Sequence, residues 1–254
     1  MKLMGILNVT PDSFSDGSRY DVPATARAHA LVLIEDGADL IDIGGESTRP
    51  GYTRISEEEE ISRILPVLRE LEGLPIPLSI DTYKVKVAEA AVEHGVSVLN
   101  DIWGFQADED MARLAAEHQL LSILMHNQTE KEYASDLIDS MKRFFDRSID
   151  IAHRAGLRDD RIVLDPGIGF GKTWNHNWEV LKRLDEIVAI GYPVLLGTSR
   201  KGMYGGLLGR EVNERLAATL ATSVYAMEHG VAYLRVHDVL EHADARRVWE
   251  RIHE

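Results

Sequence analysis

The 254-residue chain contains no cysteine, which excludes a disulfide framework, a thiolate metal site and a cysteine nucleophile. It has no apolar run close to the roughly 18 residues that a membrane span requires, so no membrane association is expected. Its opening stretch, "MKLMGILNVTPDSF", carries one lysine before an apolar segment that breaks at Asn8 and Pro11, which does not match a secretory leader. Positive charge is scarce: 28 lysines and arginines against 42 acidic residues give a formal charge of -14. Nonspecific nucleic-acid binders need the opposite balance. A small anionic ligand remains open, provided that cations gather locally to overcome the background. A linker, a low-complexity tract and a break in composition are also lacking, so residues 1-254 are expected to form a single domain, and the whole pattern fits a cytoplasmic protein.

What the chain does have includes "DPGIGFGKT" (165–173), three alternate glycines followed by Lys-Thr. It looks like a phosphate loop, but the spacing forbids it. A Walker A loop requires a glycine five positions before Gly171-Lys172, where Pro166 stands. In a dinucleotide fingerprint the third glycine falls on Lys172. The glycines are read either as a tight turn or as a place where backbone must pass close to a ligand.

Short apolar runs alternate with longer segments of helical periodicity. Strands are predicted at 2–8, 39–44, 75–81, 96–101, 120–126, 161–165, 193–198 and 231–238. Between them, sets such as Leu137, Met141, Phe144, Phe145, Ile149 and Ala152 share one helical face. Gly37, Gly73, Gly95, Gly156, Gly191 and Gly230 each close a helical segment shortly before a strand, where left-handed caps belong. Ser56 and Glu59 fit a capping box, and Pro66 is expected to kink the helix they open. Eight βα units in this length predict an α/β protein, a (β/α)8 TIM barrel; an open doubly wound sheet is the alternative.

In either fold the active site lies at the carboxyl ends of the strands. Polar residues collect there after every predicted strand: Asn8, the "GGESTRPG" stretch, Asp81, Asn100 with Asp101, His126, "DPGIGFGK", "TSRKG", and Arg235 with His237 and Asp238. Arg49, Lys201, Arg235 and His237 are cations or potential cations suited to a polyanion such as pyrophosphate. Asp81, Asn100, Asp165 and Lys201 are a mixed donor and acceptor set suited to the edge of a polar heterocycle. Taken singly, Asp81 reads as a helix N-cap, Asp101 as structural, and Asp42 as a buried polar residue supporting the following loop. Convergence from all eight strand ends favours a site.

"GILNVTPDSFSDG" (5–17), "IDIGGESTRPG" (41–51), "SIDTYK" (79–84), "LNDIWG" (99–104), "LDPGIGFGKT" (164–173), "GTSRK" (197–201) and "RVHDV" (235–239) together resemble the dihydropteroate synthase family, the folate-pathway target of sulfonamides. The resemblance runs in order along nearly the whole chain. It implies a TIM barrel that joins 6-hydroxymethyl-7,8-dihydropterin pyrophosphate to p-aminobenzoate and releases pyrophosphate with Mg²⁺. By this likeness the pterin contacts are Asp81, Asn100, Ile102, Met125, Asp165, Gly169, Phe170 and Lys201. Asn8 is the metal ligand and, with Thr48, Arg49, Arg235 and His237, binds pyrophosphate. Phe14, Pro50, Lys201 and Gly202 belong to the p-aminobenzoate side and its mobile loops. Asp16, Lys201, Arg235 and His237 are the catalytic candidates, and a homodimer through the later helices is implied.

Two positions depart from the commonest pattern of that family: Gly202 stands where a serine often contacts the p-aminobenzoate carboxylate, and Ser18 replaces a frequent glycine. Backbone N–H groups after Lys201 would then have to meet the carboxylate. Two related readings stay open. A methyltetrahydrofolate-dependent methyltransferase domain would share the pterin carboxylates without needing the loop and anion motifs. A noncatalytic pterin binder would lack Arg49, Lys201 or Arg235, all of which are present.

Overall fold

The computed structural model describes residues 1–9, 22–46 and 54–254. Eight parallel strands, β1 (Lys2–Asn8), β2 (Leu40–Gly44), β3 (Leu78–Asp81), β4 (Val98–Asp101), β5 (Leu121–Met125), β6 (Ile162–Asp165), β7 (Leu195–Leu196) and β8 (Tyr233–Val236), form one sheet ordered β6-β5-β4-β3-β2-β1-β8-β7. The two ends of that order meet. A parallel bridge joins Leu164 to Val194, and Leu164 N–H donates to Pro193 O at 2.9 Å. The sheet is therefore a barrel and not an open doubly wound sheet.

Helices α1 (Val22–Glu35), α2 (Glu57–Leu71), α3 (Val85–Val92), α4 (Asp110–Glu117), α5 (Leu137–Ala155), α6 (Trp174–Lys182), α7 (Leu184–Val188), α8 (Gly202–Leu208), α9 (Leu216–Glu228) and α10 (Val239–His253) are interleaved with the strands. All six glycines read as helix-closing caps have positive φ, between +77° and +102°. Ser56 does cap α2, accepting from Glu59 N–H at 3.2 Å. The reciprocal half of the box is diverted, because the Glu59 carboxylate pairs with Arg63 at 2.5 Å. Pro66 lies inside α2, which runs on past it to Leu71.

Prolines shorten two strands relative to the sequence pattern. A proline has no N–H to give to a ladder, so β3 begins only at Leu78 and β7 only at Leu195, with Pro77 O and Pro193 O still accepting from the neighbouring strands. Parallel strands covered on both faces explain the continuous apolar runs. Outward residues such as Leu3, Leu7, Ile41, Ile43, Leu99, Leu164 and Leu234 join the helices in the main core. Inward residues Met4, Leu40, Val98, Ile123, Val163 and Leu195 pack with each other as a separate plug, on which Leu121 and Tyr233 also pack.

Candidate active site

Side chains alternate along a strand, so the residue two positions beyond each plug residue also points into the barrel, nearer its carboxyl end. Leu40 is followed in this way by Asp42, Val98 by Asn100, Ile123 by Met125, Val163 by Asp165, and Tyr233 by Arg235. Register then sets neighbours side by side: Asp42 opposite Ser79, Asp81 opposite Asn100, and Met125 opposite Asp165. The plug supplies an apolar floor, and the next layer, Met125 apart, is polar because it is the wall of a cavity mouth.

Asp42 is the hub of that layer. Fully buried, it accepts from Ser79 Oγ at 2.6 Å, Asn100 Nδ2 at 3.1 Å and Arg235 Nε at 2.6 Å. It supports the Asn100 and Arg235 side chains across the barrel. The inward parity of Leu40 and Asp42 was the signal for this role. Arg235 reaches further to Asp81 Oδ2 at 2.9 Å. The guanidinium thus bridges two carboxylates of the barrel wall, so the cationic group and the heterocycle group of the sequence pattern are one connected network.

Electrostatics follow from this burial. Burial pushes the Asp81 carboxyl up to about 7; Asp42 and Glu60 push the same way, while Arg235 and Lys201 pull against it. Burial raises Asp165 to about 6, opposed by the Gly167 N–H and by Lys201, Lys172 and Arg235. Arg235 is desolvated too, yet the nearby carboxylates more than compensate and raise its pKa. Three cations therefore converge on a pair of carboxyls that water no longer stabilises. Asp81 Oδ1 and Asn100 Oδ1 are buried acceptors with no hydrogen-bond partner among the described residues. Such atoms are costly unless a ligand brings donors to them.

The loop after β6 supplies the other side. Asp165 Oδ1 accepts from Gly167 N–H at 2.7 Å, and Asn177 Oδ1 from α6 accepts from Gly169 N–H at 2.8 Å. Gly167, at φ +67°, lies so close to β5 that a Cβ would sit 2.1 Å from His126 O. A Cβ at Gly169 would lie 3.5 Å from Lys201 Nζ, and that ammonium sits 4.5 Å from the centroid of the Phe170 ring. Gly169, Phe170, Asp165 and Lys201 are thus gathered at one place. The tight turn is present, and at Gly167 the close approach that requires glycine is to the end of β5.

At the seventh and eighth strand ends, Ser199 Oγ lies 2.9 Å from His237 Nδ1 and accepts from His237 N–H at 3.2 Å. Arg200, in a left-handed conformation at φ +56°, turns away to pair with Asp238, and its N–H is held by Thr219 Oγ1. That turn lets the next residue, Lys201, face the mouth. Gly202 begins α8 with open space where a side chain would go. At the end of β1, Asn8 Oδ1 flanks Gly44, whose Cβ would meet it at 3.4 Å and Asp81 Oδ2 at 3.9 Å. Ile102 and Met125 are buried just after β4 and at the end of β5. Asp101 is structural, accepting from Trp103 and Phe105 N–H, both at 2.8 Å. Phe14, Asp16, Ser18, Thr48, Arg49 and Pro50 lie outside the described residues.

A family model described as "Pterin binding enzyme" matches residues 4–237. The chain is 50% identical over 252 residues to the dihydropteroate synthase of Clostridium beijerinckii, which covers 98% of this chain and 93% of the relative. Among solved structures, the dihydropteroate synthase from Clostridium difficile in the presence of pteroic acid has a TM-score of 0.97 at 47% identity, covering 99% of this chain and 96% of that one. The Xanthomonas albilineans dihydropteroate synthase with 4-aminobenzoic acid has a TM-score of 0.94 at 41% identity, over 99% of this chain and 93% of that one.

Proposed function

The chain belongs to the pterin-binding enzyme family and within it to the dihydropteroate synthases, and from that premise we propose how its own residues divide the condensation of dihydropterin pyrophosphate with p-aminobenzoate. The observation that carries the reading is the set of buried acceptors Asp81 Oδ1 and Asn100 Oδ1, together with a buried Asp165 carboxyl that feels the same Lys201 and Arg235 as Asp81 does. A reduced pterin presents adjacent N–H donors along one edge, and buried acceptors without partners recover their lost hydrogen bonds when that edge arrives. Asp165 takes the amidine-like edge with its carboxylate. Lys201 donates from the opposite side, and Phe170, Gly169, Met125 and Ile102 enclose the ring.

Pyrophosphate falls to Arg235, Lys201 and His237 at the mouth, joined by Thr48 and Arg49. Arg235 also spans Asp42 and Asp81 and so connects the anion side with the pterin wall. Asn8 would hold Mg²⁺. Among the described residues no three His, Cys, Asp or Glu side chains are disposed around an ion. One protein oxygen suits an ion that keeps waters and substrate phosphate oxygens as its other ligands. When bound, Mg²⁺ spreads the negative charge of the departing pyrophosphate.

The bond that breaks joins the pterin methylene carbon to the pyrophosphate oxygen, which leaves with the electron pair. The bond that forms is from the p-aminobenzoate nitrogen, whose extra proton is lost to solvent. The electron-rich ring stabilises positive charge on the methylene, so bond breaking runs ahead of bond making. An aromatic amine is neutral at pH 7, so the residues are placed to stabilise the leaving group and no strong general base is needed. Phe14, Pro50 and Gly202 serve the p-aminobenzoate side, and Asp16 the first loop. A cytoplasmic homodimer completes the proposal; among the described residues no helix is long and apolar enough to cross a membrane.

The test is pyrophosphate release by the purified protein given the dihydropterin pyrophosphate and Mg²⁺, with and without p-aminobenzoate. Release that depends on p-aminobenzoate and yields dihydropteroate is the expected result. Tight pterin pyrophosphate binding with no condensation would retain the pocket and remove the synthase reading.

A further inference from the structure

Lys172, the residue that makes "GFGKT" look like a phosphate loop, is not at the mouth. Only 3% exposed, its ammonium is turned back under its own loop. It donates to Gly167 O at 3.1 Å, to Phe170 O at 3.1 Å and to His126 Nδ1, at the end of β5, at 2.8 Å. None of these three partners is a carboxylate, so the ammonium is buried among neutral acceptors. Burial pushes the lysine down to about 7, with Asp165 pulling it up and Lys201 pushing it further down. His126 is held neutral by its own burial and by that ammonium. A buried charge is costly, and loop closure alone does not require one, since a neutral donor could bridge the same carbonyls.

The two carbonyls are the ends of the turn Gly167–Phe170. Between them lies Gly169, against the Lys201 stem, and beyond it Phe170, whose ring lies beneath the Lys201 ammonium. The turn's first N–H, from Gly167, fixes Asp165 Oδ1. Tyr133 holds the far side of the loop, donating to Gly171 O at 2.9 Å. Asp165 itself is faced by Lys172 from below, by Lys201 after β7 and by Arg235 from β8.

We propose that Lys172 is a positioning residue for the pterin subsite: its ammonium clamps the Gly167–Phe170 turn that presents Asp165, Gly169 and Phe170, and places a positive charge behind the Asp165 carboxylate. The proposal rests on the pterin reading given above. It assigns Lys172 no contact with either substrate, so its effects must reach the ligand through the turn and through Asp165.

Binding of the pyrophosphate-free pterin alcohol to wild type, Lys172→Met and Lys172→Arg, measured by calorimetry from pH 5 to 8 on folded protein, tests it. In Lys172→Met the affinity is expected to fall about tenfold or more, with the p-aminobenzoate KM changed less than about twofold. The acid limb of the affinity profile, set by Asp165 and Asp81, should also move to higher pH, because Asp165 loses a positive neighbour. Lys172→Arg keeps the charge, so its limb should stay at the wild-type position; this arm decides the matter if Lys172→Met does not fold. Unchanged affinity or an unmoved limb in Lys172→Met, or a displaced limb in Lys172→Arg, overturns the proposal. Wild type that binds no pterin alcohol removes the functional reading itself, and the proposal with it.

Discussion

Asp165 shows at the scale of one residue how recognition is set against stability. Its folded carboxyl titrates near 6, above an ordinary aspartate. A raised pKa means that the stability contribution is fully present below the unfolded value near 4 and is lost as pH rises through about 6. At pH 8 the ionised, ligand-free carboxylate therefore costs stability, by at most about 3 kcal/mol. Asp165→Asn can still accept from Gly167 N–H, so it is expected to melt higher than wild type at pH 8, with the difference vanishing toward pH 4. The same variant should lose most of its pterin affinity, because an amide brings a donor to a donor edge. Scanning calorimetry with and without the pterin alcohol checks both. Arg235 adds a second residue-level expectation: with its guanidinium on Asp42 and Asp81, Arg235→Met should weaken the pterin alcohol as well as pyrophosphate. The sequence pattern, in which Arg235 stands with the anion group alone, predicts loss for pyrophosphate only, and titrating both ligands separates the two.

Among the elements, what was legible in the sequence was whatever repeats. Eight apolar runs and six capping glycines marked the barrel because each βα unit solves the same packing problem. Where the pattern overshot, at Pro75 and Pro193, hydrogen-bond donors were missing from a run whose hydropathy was otherwise right. Asp81, Asn100 and Asp165 were legible as strand-end polar residues. Asp42 was legible only as an inward position, because the partners that define its role stand 37, 58 and 193 positions away. Lys172 was misleading for the complementary reason: the motif gives its place in the loop but not the direction of its side chain. At the start of α8 the structure turns a departure into an experiment. A Cβ at Gly202 meets no atom within 4 Å, so Gly202→Ser should change stability by no more than about 0.5 kcal/mol. If the p-aminobenzoate carboxylate docks there, the added hydroxyl should lower the KM for p-aminobenzoate and leave that for the pterin substrate unchanged. Steady-state kinetics with each substrate varied in turn gives the answer.

For the whole molecule, charge constrains assembly. Each copy carries a formal -14, so two copies repel and the proposed homodimer would have to be held by something other than net electrostatics. The final helix offers it. Leu240, Val248 and Ile252 of α10 are 49%, 61% and 73% exposed and fall on one row at spacings of eight and four residues. Tyr225 is also exposed on α9, the helix that precedes β8 and α10. If this apolar row is the contact, salt should tighten the dimer, because screening weakens the repulsion and leaves apolar burial in place. Val248→Glu with Ile252→Glu should give monomers that keep the pterin pocket, which lies at the strands' carboxyl ends and is built without α10. Sedimentation at about 0.02 and 0.2 M salt, spanning a change in screening length from roughly 20 to 7 Å, distinguishes the possibilities. A dimer that loosens as salt rises would have to be built on ion pairs, and the α10 row would then be excluded as its core.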